Sequence, residues 1–142
     1  MGDKIIAFIE REGYEYFVQV PLFLGRIDFV GVRNSECLVI EGKVKDWKKA
    51  VAQALRYGYG AERTYVALPE PTARNTAKKH KVAFEKYGIG LIRVSERANV
   101  IIECEPKSPS FVFKQIILRE VETRRNKSRE RIGKLKDRCK NG

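Results

Sequence analysis

The chain has 142 residues, 43% of them hydrophobic and 33% charged, with a net charge of +11. That size suits one domain with a real core, and the charge points to an anionic partner, nucleic acid first. No apolar run approaches the roughly 20 residues of a membrane helix, so no membrane partner is expected. Ile5–Ile9 is too short, and too soon followed by Glu10 and Glu12, for a signal peptide. The three scattered cysteines, Cys37, Cys104 and Cys139, read as reduced thiols of a cytoplasmic protein and not as a zinc site. A single histidine removes most His-based catalytic schemes.

The spacing of Ile5, Ile6 and Ile9, with Gly13 as a stop, predicts a helix over Asp3–Glu12. Tyr16–Val20 reads as a strand, with Pro21 at its end or on a sheet edge. Arg26–Val32 is a second strand, and the polar turn Arg33–Glu36 returns the third, Cys37–Lys43, antiparallel to it. Asp46 caps a helix running to Tyr57, whose apolar stripe is Trp47, Ala50, Val51, Ala54 and Leu55. Thr64–Leu68 is a strand, Asn75–Tyr87 a helix closed by Gly88, and Ile89–Val94 and Val100–Cys104 are two short strands. Phe111–Cys139 begins as a helix with Phe113, Ile116, Ile117 and Val121 on one side, and its apolar residues thin out after Glu122. Strands separated by helices predict an α/β domain with a mixed central sheet flanked by helices. The step from Cys37–Lys43 through its helix to Thr64–Leu68 should be a parallel crossover. The division expected is a domain over 1–110 and a basic helical extension over 111–142. The segment after Glu122 has nine Lys and Arg against two acids, so it carries seven of the eleven net charges.

Chemistry concentrates between Arg26 and Tyr57. Side chains alternate along a strand, so Glu41 and Lys43 share one face while Leu38 and Ile40 take the other. Asp28, on the neighbouring strand of the hairpin, is placed to come alongside Glu41. Two converging carboxylates make a hard-oxygen site for Mg²⁺ or Mn²⁺, with the Gly42 carbonyl as a further ligand. Such a metal polarises a phosphoryl oxygen and lowers the pKa of a bound water. Lys43 would stabilise the negative charge that develops or position the water. Gln53, on the next helix, and Tyr57, one turn on, would orient water or phosphate. The bland reading makes Gln53 and Tyr57 the solvent side of an amphipathic helix, while Trp47, Tyr57, Tyr59 and Tyr65 read as core or interface residues before base-stacking platforms. His80, between Ala77 and Phe84 on a helix side, reads as a packing histidine.

This constellation resembles the PD-(D/E)xK nuclease superfamily, with its restriction-endonuclease-like fold. Among its branches it looks most like the archaeal Holliday-junction resolvases and the small Mrr- or RecB-like nucleases. The resemblance spans Asp3–Ser108: the aspartate motif falls on Asp28, the Glu-x-Lys on Glu41 and Lys43, the glutamine-tyrosine motif on Gln53 and Tyr57, and Leu91–Ser95 fits the late strand. Ile27 stands where the motif's proline would be. The early acidic position of the resolvases falls near Gly2, with Asp3 the nearest carboxylate. The resemblance implies a Mg²⁺- or Mn²⁺-dependent endonuclease hydrolysing DNA phosphodiesters, branched or junction DNA among them, and acting as a homodimer. Catalysis would rest on Asp28, Glu41, Lys43 and Gln53, and the metal on Asp28, Glu41 and Gly42. Nucleic-acid contacts are expected at Tyr57, Lys45, Lys78, Lys79, Arg124, Arg125, Lys127 and Arg129. The competing expectation is a DNA-binding or assembly subunit that keeps this fold without cutting.

Overall fold

The structure, a computed structural model, describes residues 1–23, 25–43 and 45–141. Helix α1 (Gly2–Arg11) ends where Gly13 takes φ +85°, and the amides of Gly13 and Tyr14 return to the carbonyls of Glu10 and Ile9. Strands β1 (Glu15–Leu22), β2 (Gly25–Arg33) and β3 (Glu36–Gly42) form an antiparallel meander. The second hairpin is tight: Arg33 pairs with Glu36 across Asn34 and Ser35, with Asn34 at φ +56°. The Asp46 side chain caps α2 (Trp47–Tyr57) by accepting from the Lys49 amide at 3.1 Å. A 3-10 turn over Gly58–Gly60 leads into β4 (Arg63–Pro69), parallel to β3.

Helix α3 (Thr72–Tyr87) begins three residues before the expected Asn75, because Pro71 serves as its N-cap instead of merely stopping the strand. It kinks at His80, and Gly88, at φ +66°, closes it. Strand β5 (Gly90–Val94) is parallel to β4, and β6 (Ala98–Ile102) returns antiparallel. The last strand starts two residues earlier than its apolar run suggested, since the hairpin at Ser95–Arg97 is short. Helix α4 (Phe111–Asn141) runs unbroken for 31 residues, about 46 Å at 1.5 Å per residue.

The result is a six-stranded mixed sheet in the order β1-β2-β3-β4-β5-β6, flanked by helices. One face packs on α1, where Ile5, Phe8 and Ile9 meet Leu38, Ile40, Tyr65 and Ile92. The other face carries α2 and α3 over β4–β6, through Ala50, Ala54, Phe84, Val66 and Leu91. It carries the start of α4 over β1–β3, where Ile117 and Val121 are fully buried beside Val20, Val30 and Val39. Each such burial contributes about 1.5–3 kcal/mol. The packed part of the fold therefore runs past residue 110. Gly60 makes that seat possible, since a Cβ there would lie 2.7 Å from α4 backbone. Among the described residues no helix is long and apolar enough to cross a membrane.

Candidate active site

The β2–β3 ladder ends at the pair Phe29 and Ile40. One residue further, the backbone donors find carboxylates. The Asp28 amide donates to Oε1 of Glu41 at 3.3 Å, and the Gly42 amide donates to Oδ2 of Asp28 at 3.0 Å. The expected meeting of Asp28 and Glu41 is thus present, and it is fixed by hairpin register. Glu41 follows Cys37 and Val39 on the face opposite α1, lies in register with Val66 of β4, and is 1% exposed. Burial, and then the Asp28 charge, push its carboxyl up to about 9, while Lys43 pulls it back. A buried pair of this kind keeps a proton unless a cation joins it.

Lys43 follows the end of β3, where its amide donates to the Ala67 carbonyl at 3.1 Å. Its side chain is half-buried and bears on Glu41 electrostatically. Among the described residues it makes no ion pair with Asp28 or Glu41. The group of Gly42 tied to the pair is its amide, where the sequence pointed to its carbonyl. Gln53 is half-buried in α2, and its Oε1 is buried without a hydrogen-bond partner among the described residues. Both observations set aside the solvent-face reading of this helix side.

Tyr57 departs from the nucleic-acid contact expected of it and follows the core reading. It is 6% exposed and belongs to the core beneath α4. Its hydroxyl fills the space above Gly25, where a Cβ would lie 2.0 Å away. It anchors the start of β2 and does not face a nucleic acid. Asp3, the nearest early carboxylate, is exposed and sits 3.6 Å from the N-terminal amine. Among the described residues no third Asp, Glu, His or Cys joins Asp28 and Glu41 in a metal-type cluster.

The basic residues divide. Lys45, Lys78, Lys79, Lys127 and Arg129 are exposed, with Arg129 3.7 Å from Glu122. Arg124 and Arg125, expected at a nucleic acid, are occupied within the fold. Arg124 donates to the carbonyls of Val18 and Gln19 at 2.9 and 2.7 Å. Arg125 pairs with Glu15 at 2.6 Å and lies over the Phe17 ring. His80 stacks on Trp47 at 4.2 Å, as a packing histidine should.

Sequence reasoning missed Gln19. It sits on edge strand β1 at φ +51°, between the pairs Val18–Phe29 and Val20–Ile27, and so opposite Asp28. Its Nε2 lies 3.5 Å from Oδ1 of Asp28. Pairing β1 with β2 in register would have found it. At the other end of β3, a cavity of about 230 Å³ lies between α1 and the sheet, lined by Tyr14, Arg33, Arg63 and Tyr65. Both of its arginines are spent on Glu36, at 2.8 and 3.1 Å.

No protein-family model and no curated protein matches the chain. Its structure is similar to that of the SPO1766 protein of unknown function from Silicibacter pomeroyi, with a TM-score of 0.68 over 94% of this chain and 87% of that one, at 17% identity. At that identity the likeness is one of fold. It takes in most of α4, which is too large a share of the chain to fall outside the matched part. The AF1548 protein of unknown function matches over 65% of this chain and 55% of its own, with a TM-score of 0.43 and 18% identity.

Proposed function

We propose that the chain is a metal-dependent deoxyribonuclease of the PD-(D/E)xK, restriction-endonuclease-like type, cutting DNA phosphodiesters with Mg²⁺ or Mn²⁺. The observation that carries this reading is the interlocked pair Asp28 and Glu41 at the end of the β2–β3 ladder. A purely structural role gives no reason for two carboxylates to converge where one must hold a proton. The order of an antiparallel meander followed by a parallel crossover also fits that fold.

The residues fit a hard divalent ion. Two carboxylates offer oxygen ligands, and the orphaned Oε1 of Gln53 offers an acceptor. When bound, the ion polarises a phosphoryl oxygen and lowers the pKa of a water. Asp28 and Glu41 would hold it, and the ion would keep Glu41 ionised. The Lys43 ammonium would offset charge accumulating on the phosphoryl oxygens. Gln53 Oε1 would accept a hydrogen bond from water and fix its direction. Two copies related by a two-fold axis would cut both strands of a symmetric substrate. The cytoplasm is the compartment proposed for this chemistry.

The test is cleavage of linear, flapped, single-stranded and four-way-junction DNA with Mg²⁺, Mn²⁺ or EDTA, beside Glu41→Ala and Lys43→Ala. Metal-dependent cutting lost in both variants supports the reading, and cutting retained in both overturns it. The second reading is a subunit that binds DNA without cutting, favoured by the absence of a third carboxylate among the described residues. Salt-sensitive binding without cleavage by any form would select it.

A further inference from the structure

Four cations of the domain surround one open pocket of about 320 Å³ at the C-terminal end of β5. Arg74, Lys78 and Lys81 descend one side of α3 at i, i+4 and i+7, and Arg93 rises from β5 beneath them. Ile101 supplies an apolar wall. Arg93 is two residues from Leu91 and so shares its face, on the α3 side of the sheet. The Nε of Arg93 is buried and donates to nothing among the described residues. The one carboxylate at its head, Glu70, bridges toward Arg74 and Arg93, and its Oε1 is 3.8 Å from Arg93 Nη1, beyond hydrogen-bond length. Among the described residues Lys81 has one loose partner, Glu85, at 3.7 Å. A buried, unanswered guanidinium donor is costly unless an acceptor arrives. Glu70 Oε1 is likewise buried without a hydrogen-bond partner among the described residues, but four cations face two acids here, which favours an anionic acceptor.

The pocket's place in the sheet tells which anion. Glu41, Val66 and Leu91 are in register across β3, β4 and β5. Arg93 is two residues beyond Leu91, so it lies two strands, about 10 Å, to the side of Glu41 and about 7 Å further toward the C-terminal end of the sheet, on the same face. That separation is within the reach of a few nucleotides of one backbone.

We infer that this pocket is a second phosphate site, seating a backbone phosphodiester of the same nucleic acid a few nucleotides from the one presented to Asp28 and Glu41. The assignment rests on the nuclease reading for its ligand, but binding without cleavage is enough to test it. The shared chemistry is a phosphate monoanion or dianion met by a planar guanidinium and two ammonium groups.

The experiment is fluorescence anisotropy of labelled duplex and single-stranded DNA in EDTA, across a range of NaCl concentrations. The full chain is compared with Lys78→Glu, Lys81→Glu, Arg93→Gln and Lys86→Glu. Lys86 lies on the same helix outside the pocket, and its reversal changes net charge by the same amount as that of Lys81. The pocket variants should weaken binding about tenfold and lower the log–log salt slope by about one. Lys86→Glu should keep the slope. Equal losses for Lys81→Glu and Lys86→Glu would reduce the pocket to diffuse charge and overturn the inference. Lack of DNA binding by the native chain would overturn it too. So would protection by inorganic phosphate alone, seen as a Tm rise that Arg93→Gln abolishes while DNA binding is untouched. Missing cleavage, with this binding pattern intact, would defeat the nuclease reading and leave the phosphate site standing.

Discussion

Arg124, on α4, donates through Nη2 to the carbonyl of Gln19 at 2.7 Å, while its Nη1 holds the neighbouring Val18 carbonyl. The last helix thereby grips the edge strand at the residue that stands opposite Asp28. Arg124→Ala should cost about 2 kcal/mol in urea denaturation, since it leaves carbonyls of an edge strand unanswered. Arg124→Lys keeps the charge but loses the two-pronged geometry. If Lys restores stability as fully as Arg, the grip is mere charge and the structural account fails.

Gln19 holds φ +51° inside a strand, a conformation that costs a non-glycine residue about 1–2 kcal/mol. Its amide nevertheless reaches toward Oδ1 of Asp28. Strain kept beside a candidate site suggests use of the side chain. Gln19→Gly should gain about 1 kcal/mol of stability while lowering Mn²⁺ affinity, read by calorimetry. A gain in stability with unchanged Mn²⁺ binding would show that the amide does not orient Asp28.

Glu41 should make the metal-free protein sensitive to pH. Its carboxyl moves from the ordinary 4.5 up to about 9, chiefly through burial. Between those values the folded chain holds a proton that the unfolded chain has released. Stability contributed by the neutral form is therefore full below about 4.5 and is lost as pH rises toward 9. Urea midpoints at pH 5 and pH 8 should differ for the native chain, and Glu41→Gln should remove most of that difference. Mn²⁺ should raise the midpoint at pH 8 for the native chain only. A pH profile identical in both proteins would place the titration elsewhere.

The pair Asp28 and Glu41 was legible because a two-residue turn at Asn34–Ser35 fixes which residues of β2 and β3 meet. Local spacing also found the Asp46 cap and the parallel crossover. Tyr57 stayed open between a core place and a nucleic-acid contact, because a spacing of four from Gln53 gives a shared helix face but not what that face meets. Only the approach of Gly25 makes the tyrosine a core residue. Arg124 and Arg125 read as free charge since their partners, Gln19 and Glu15, lie more than a hundred residues away in sequence. Non-local pairing of that sort leaves no periodic mark.

The thiols offer an independent check of the core. Cys37 and Cys104 are buried and Cys139 is exposed. Burial, and then the nearby Glu62 charge, push the Cys37 thiol up to about 11, away from its reactive thiolate form. One thiol should react rapidly with Ellman's reagent, and two only at the rate of unfolding. Cys139→Ser should abolish the fast phase. A fast phase that survives this substitution would mean that β3 or the segment after β6 is more open than described.

Two truncations separate the two parts of α4. Ending the chain after residue 110 removes Ile117 and Val121 from the sheet and the Lys114 partner of Glu62, a pair at 2.9 Å. Two buried side chains, at about 1.5–3 kcal/mol each, and a half-buried ion pair are a large share of the about 5–15 kcal/mol that holds a small domain together, so that product should be unfolded or have a far lower urea midpoint. Ending after residue 122 keeps those contacts but loses the Arg124 and Arg125 bonds to β1. That chain should fold with a lower urea midpoint. It should also bind DNA more weakly, with a flatter salt dependence, because it lacks exposed Lys127, Arg129, Arg131 and Lys134. Unchanged DNA binding by this second truncation would confine the nucleic-acid surface to the sheet and α3, and would leave the projecting helix to some other partner.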